Sequence, residues 1–132
     1  MLNARDTYLG ASVSTADPAR LLVMLLDRLV LDVTRGLDAQ RRGVLDEANG
    51  QLLHAQDIVL ELQSSLRLDV WDGAAGLAAL YDYLRRRLVA ANTSRDTTIT
   101  EECLGLVTDL AATWREAAMQ SAQSAPAVAA AG

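Results

Sequence analysis

Few residues in this chain can do chemistry, and their spacing decides which chemistry. His54 and Cys103 are its single histidine and single cysteine. A di-iron bundle needs Glu-x-x-His pairs on facing helices, but the residue three before His54 is Gln51. The glycines are scattered and form no phosphate-cradling loop. Cys103 falls on an apolar helical stripe and reads as a small buried thiol rather than a nucleophile. His54 lies on the polar side of its segment, with Asp57 and Glu61 following it. Histidine phosphotransfer bundles carry such an exposed histidine on the second helix. Here the two carboxylates would repel a phosphoryl group, and no lysine exists to help hold one. A solvated surface histidine is the plainer reading. The expectation is a protein without catalysis, metal or cofactor, with a phosphotransfer-like signalling bundle using His54, or a generic helical interaction module, as the alternatives.

The stretch "LYDYLRRRLVAAN", Leu80 to Asn92, raises a different possibility, because tyrosines beside three arginines can read nucleic acid. Helical spacing argues otherwise. Tyr81 shares an inward stripe with Leu77, Leu84 and Leu88, while Tyr83 lies on another side with Arg87. Asp82 precedes Arg85 and Arg86 by three and four residues, the favourable order for surface ion pairs. A net charge of −5 also opposes phosphate binding. No nucleic-acid partner is expected.

The elements that position these residues follow from apolar periodicity. The 132 residues suit one domain with a real core. The apolar content is mainly Leu, Ala and Val without any Phe, which favours close-packed helices. The first helix opens at Pro18, with Asp17 as cap, and its stripe is Leu22, Leu25, Leu29, Val33 and Leu37. Val23, Leu26 and Val30 widen that stripe, and Gly43 is a plausible stop. The second helix, from about Asp46, carries a heptad seam of Ala48, Leu52, Ala55, Val59, Leu62 and Leu66. The third runs from about Ala74 to Ala91, with Asn92 suited to a left-handed stop. For the fourth, Thr98 with Glu101 has capping-box spacing, and Asp96 is the competing cap. Its stripe is Ile99, Cys103, Leu106 and Leu110, fading near Met119. The fold class predicted is all-α, an antiparallel four-helix bundle. Residues 1–16 form a mobile N-terminal arm, 17–118 the bundle, and 119–132 a low-complexity disordered tail. The first residues lack the apolar run of a signal peptide and no segment is apolar enough to span a bilayer, so a cytoplasmic location without membrane insertion is expected.

Assigning one core stripe per helix leaves apolar residues over. The fourth helix has a second stripe of Leu104, Val107, Ala111, Trp114 and Ala118, and the second helix has Leu53 and Leu60 outside its seam. Part of this width is core, and the rest would form exposed grooves that receive a partner's helix.

These residues, in this order, resemble the flagellar secretion chaperone FliS family over nearly the whole chain up to Trp114. The carriers are Tyr8, the entry "STADPARLLVMLLD", the helix "HAQDIVLELQSSL", the run "LAALYDYLRRRLVAANTSRD" and Trp114 itself. Leu26 stands where the family has Tyr, Arg28 where it has a small residue, His54 where it has Lys, and "VWDGAAG" where it has a Gly-Gly-Glu stretch. The resemblance implies an export chaperone that holds the disordered C-terminal segment of flagellin in apolar grooves, without ATP or cofactor. The groove candidates are Leu53, Leu60, Tyr83, Leu104, Val107, Ala111 and Trp114. It further implies that the arm, through Tyr8 and Val13, plugs a groove until flagellin displaces it. Flagellar export-gate components are implied as further partners, with weak self-association of the free protein.

Overall fold

The computed structural model describes residues 18–67 and 72–131, with side chains described as far as Gln120. Four helices follow one another: α1 (Pro18–Arg42), α2 (Leu45–Ser65), α3 (Ala74–Ser94) and α4 (Thr97–Ala131). Each packs on its neighbours around a square, α1 on α2 and α4, and α3 on α2 and α4, with no diagonal packing among the described residues. Cross-helix pairs fix the directions. Arg41 meets Glu101 while Asp27 meets Arg115, so α1 and α4 run antiparallel. Arg42 meets Glu47 and Asp32 meets His54, which does the same for α1 and α2. The bundle and its antiparallel order agree with the sequence reading.

Local chemistry sets the helix ends. Gly43 adopts φ 73°, and its N–H donates to Gln40 O at 3.1 Å while Val44 N–H donates to Ala39 O at 2.9 Å. This paired closure satisfies carbonyls that would otherwise be orphaned, and only glycine enters the left-handed region without strain. Asp96 caps α4, accepting from Thr98 N–H at 2.9 Å, so the competing cap is the one used. Two ends differ from expectation. Helix α3 continues through Asn92 to Ser94, and Arg95 takes the left-handed stop at φ 55°. Asn92 is occupied instead by a hydrogen bond from its Nδ2 to Asn49 Oδ1 of α2, at 2.8 Å. The α4 backbone stays helical past Met119, where the sequence predicts fading, to Ala131. Asp17 and residues 1–16 lie outside the described residues.

The core is built from the stripes. Leu26, Leu29 and Val33 of α1, Leu52, Ala55, Val59 and Leu62 of α2, Tyr81, Leu84 and Leu88 of α3, and Cys103 and Val107 of α4 form one buried cluster. Leu22, Leu25, Ile99, Leu106 and Trp114 are partly buried against it. Burial of apolar area on this scale, at roughly 25 cal/mol per Å², is what holds the helices together. Gly36 lets α1 and α2 approach closely, since a Cβ there would sit 2.9 Å from Leu52 Cδ2.

Candidate functional site

The sequence-derived candidates divide among three settings rather than lining one groove. Leu53 and Leu60 lie seven residues apart on α2 and are 46% and 43% exposed. They face away from the seam because they follow Leu52 and Val59, both wholly buried, by one residue each, or about 100° around the helix. Leu104 and Trp114 of α4 are partly buried and packed against the core cluster. Val107 and Ala111 are corrections: Val107 is 0% exposed and both belong to the core cluster, so neither lines a groove. The physical reason is width. Helix α4 packs on both α1 and α3, and two partners require a face broader than one stripe. Helices α2 and α4 do not pack on each other, so Leu53 and Leu60 stand on a different helix from the α4 stripe, across the diagonal. Tyr8 and Val13 lie outside the described residues.

The tyrosines behave as their spacing suggests. Tyr81 is buried in the core, and burial pushes its phenol up to about 12. Tyr83 is 39% exposed, and its hydroxyl donates to Glu102 Oε2 at 2.7 Å. Arg87 Nε donates to the other carboxylate oxygen, also at 2.7 Å. Those two donors, the tyrosine first, hold the Glu102 carboxyl below the usual glutamate range. The same hydrogen bond raises the Tyr83 phenol. Asp82 pairs with Arg86 at 3.1 Å. Tyr83 and Arg87 are therefore turned to Glu102 on the α3–α4 edge and Arg86 to Asp82 within α3, while Arg85 Nε is buried without a hydrogen-bond partner among the described residues.

His54 is where sequence reasoning falls short. It is half exposed, as expected, yet its Nδ1 donates to Asp32 of α1. Asp32 is 0% exposed and takes a second hydrogen bond, from Arg28 Nε at 3.0 Å. A buried carboxylate thus joins two half-exposed side chains, one from α1 and one from α2. Leu26 is wholly buried in the core. The signal for Asp32 existed in the spacing: it lies between Leu29 and Val33, on the inward arc of α1. Cys103 is buried, and burial pushes its thiol up to about 12, which suits a core residue rather than a nucleophile. No cluster of metal-type ligands occurs among the described residues, and none of their helices is long and apolar enough to cross a membrane.

Comparison with known proteins gives this arrangement a family. The model for "Flagellar protein FliS" matches residues 1–121. The flagellar secretion chaperone FliS of Bacillus subtilis (strain 168) is 34% identical over 115 residues, covering 87% of this chain and 86% of its own. That of Salmonella typhimurium is 30% identical over 109 residues, covering 80% of each chain. FliSB of Pseudomonas aeruginosa is 31% identical over 115 residues, covering 86% of this chain and 91% of its own. A solved bacterial flagellar chaperone shares the fold at a TM-score of 0.72 and 18% identity, covering 89% of this chain and 96% of its own. A family model that covers nearly the whole chain and relatives at 30% identity or more thus agree, and the chain is a member of the FliS family of flagellar secretion chaperones, proteins that are not enzymes.

Proposed function

We propose that the protein works in the cytoplasm, binding the disordered C-terminal segment of flagellin and keeping it from polymerising until export. The observation that carries this is the outer face of α2, where Leu53 and Leu60 stay in water although the seam beside them is complete. Leucines left outside a filled core add nothing to folding, and a solvent-exposed apolar row on a small bundle suits a partner's apolar face. Tyr83, Leu104 and Trp114 extend the contact around neighbouring helices, so the segment wraps the bundle rather than entering one cleft. Wrapping suits a disordered ligand, whose ordering costs roughly 2–5 kcal/mol or more and requires a large interface to offset it. The N-terminal arm, through Tyr8 and Val13, covers part of this surface in the free protein, limits self-association and yields to flagellin. The loaded complex then meets components of the export gate.

Calorimetry with intact flagellin, and with flagellin lacking its C-terminal segment, tests the reading. Expected are tight binding of the first with a strongly negative heat-capacity change, and loss of binding for the second. Equal affinity for both overturns it.

A further inference from the structure

Helices α1 and α2 leave between them a groove of about 450 Å³, bordered by the apolar Leu25, Ile58 and Leu60 and by the polar Arg28, His54, Asp57, Glu61 and Ser64. Asp32 beneath it fixes the chemistry of the rim. An ionised carboxylate can only accept, so the hydrogen bond from His54 places a proton on Nδ1. A neutral imidazole with its proton on Nδ1 presents Nε2 as an acceptor. That edge of the ring is directed away from Asp32, and the side chain is half exposed. Asp57 follows one turn later, within about 6 Å along the helix surface. It is exposed and makes no hydrogen bond or ion pair with a described residue. The one cation on the rim, Arg28, is offset by Asp32. His54 Nε2 and the Asp57 carboxylate therefore stand side by side beside an apolar floor, with Glu61 and Ser64 further along the same rim, on a chain of net charge −5.

We propose that this groove receives an arginine or lysine side chain from a helical segment of a partner protein. Its N–H donors are shared between His54 Nε2 and the Asp57 carboxylate. Its methylene stem lies on Leu25, Ile58 and Leu60, as long cationic side chains cover apolar surface while their heads stay polar. The net charge of the chain favours the approach of such a segment. This deepens the chaperone reading and rests on it for the identity of the partner, while the chemistry of the groove stands apart from it.

The full chain is titrated in a calorimeter with two synthetic amphipathic helices of equal apolar stripe, one Leu/Lys and one Leu/Glu, and with the flagellin C-terminal segment. Expected is binding of the Leu/Lys helix and not of the Leu/Glu helix. Asp57→Asn should weaken the Leu/Lys helix about fivefold, the size of an exposed ion pair. Asp109→Asn, an equal change of net charge on exposed α4, should leave it unchanged. Because His54 is the single histidine, imidazole ¹⁵N resonances report its tautomer directly, and Nε2 should move from free to hydrogen-bonded acceptor as the peptide binds. A proton on Nε2 in the free protein, or equal effects of the two Asp→Asn changes, overturns the proposal. A flagellin segment whose affinity is untouched by Asp57→Asn removes the groove from the cargo contact and leaves the flagellin reading intact. Failure of flagellin to bind, with the Leu/Lys results as expected, removes the flagellin reading and leaves the groove assignment standing.

Discussion

Replacing His54 with alanine should cost more than its half-exposed position suggests, because the loss falls on Asp32. The Asp32 carboxylate is wholly buried, with Oδ1 held by Arg28 Nε and Oδ2 held by His54 Nδ1. Removing the imidazole strands one oxygen of a buried charge, a loss of about 1–3 kcal/mol. An ordinary surface change stays within about 0.5 kcal/mol. Water entering from the open rim moderates the loss, which places it near the middle of that range, about 2 kcal/mol. The opposite deletion should be milder. Asp32→Leu removes the acceptor, but Arg28 and His54 are each half exposed and can turn to water, while the leucine adds apolar burial. In the double variant Asp32→Leu/His54→Ala no carboxylate remains to be stranded. The two changes should therefore be non-additive by more than about 1 kcal/mol. Urea unfolding followed by circular dichroism at neutral pH, on all four members of the cycle, measures this directly. A His54→Ala loss below about 0.5 kcal/mol with additive energies would refute the dependence of Asp32 on His54.

The packing and pairing of the other helices set three further outcomes. Val107→Asp should unfold the bundle, since a carboxylate at a fully buried position costs several kcal/mol, whereas Leu53→Asp should keep helicity and melting; a folded Val107→Asp protein in circular dichroism would contradict the core assignment. Cys103 should resist thiol reagents in the native state and react once denatured, because burial disfavours its thiolate; rapid native labelling would contradict this. The Glu102 carboxyl, held low by Tyr83 and Arg87, contributes stability that is present above the ordinary glutamate range and lost as pH falls through its depressed native value. An NMR titration should show its midpoint below that range and a return towards it in Tyr83→Phe, and a midpoint at or above the ordinary value would contradict the sign.

Most of the scaffold was legible because each helix carries its own period and its own punctuation. The α2 seam from Ala48 to Leu62 is buried throughout, and Tyr81 and Tyr83 fall on the sides their spacing gives. What failed depends on neighbours rather than on the helix itself. Val107 and Ala111 look surplus when each helix is allotted one stripe, but α4 must fill the angle between α1 and α3. Asn92 reads as a stop by residue type, and its tertiary bond to Asn49 competes with that use. Arg95, a residue with no special preference for the left-handed region, takes the stop because Asp96 then stands ready to cap α4. The inward place of Asp32 could be read from its spacing, but its use could not, because charge at an inward position is intelligible only with its partners, and those lie four residues along α1 and across on α2.

The division of polar contacts among the helix edges bears on where cargo can bind. The α1–α4 edge is laced by Arg41 with Glu101, Arg115 with Asp27, and Gln40 accepting from Thr100 at 2.6 Å. The α3–α4 edge is closed by Glu102 receiving both Tyr83 and Arg87. A ligand docking over those edges would have to desolvate or break satisfied pairs, and a polar group left without its partner costs about 1–3 kcal/mol. The outer side of α2 imposes no such cost at Leu53 and Leu60, which give up only water. Covering both leucines gains roughly 25 cal/mol for each Å² of apolar surface removed. Leu60 also borders the α1–α2 groove, so one segment lying along α2 can satisfy an apolar row and the His54–Asp57 acceptors together. Apolar burial supplies affinity on that path, and the acceptors select a basic residue at one register. Along that path the ion pairs of α4 stay intact, and only the continuation of the segment towards Tyr83, Leu104 and Trp114 has to desolvate the satisfied pairs of the α3–α4 edge.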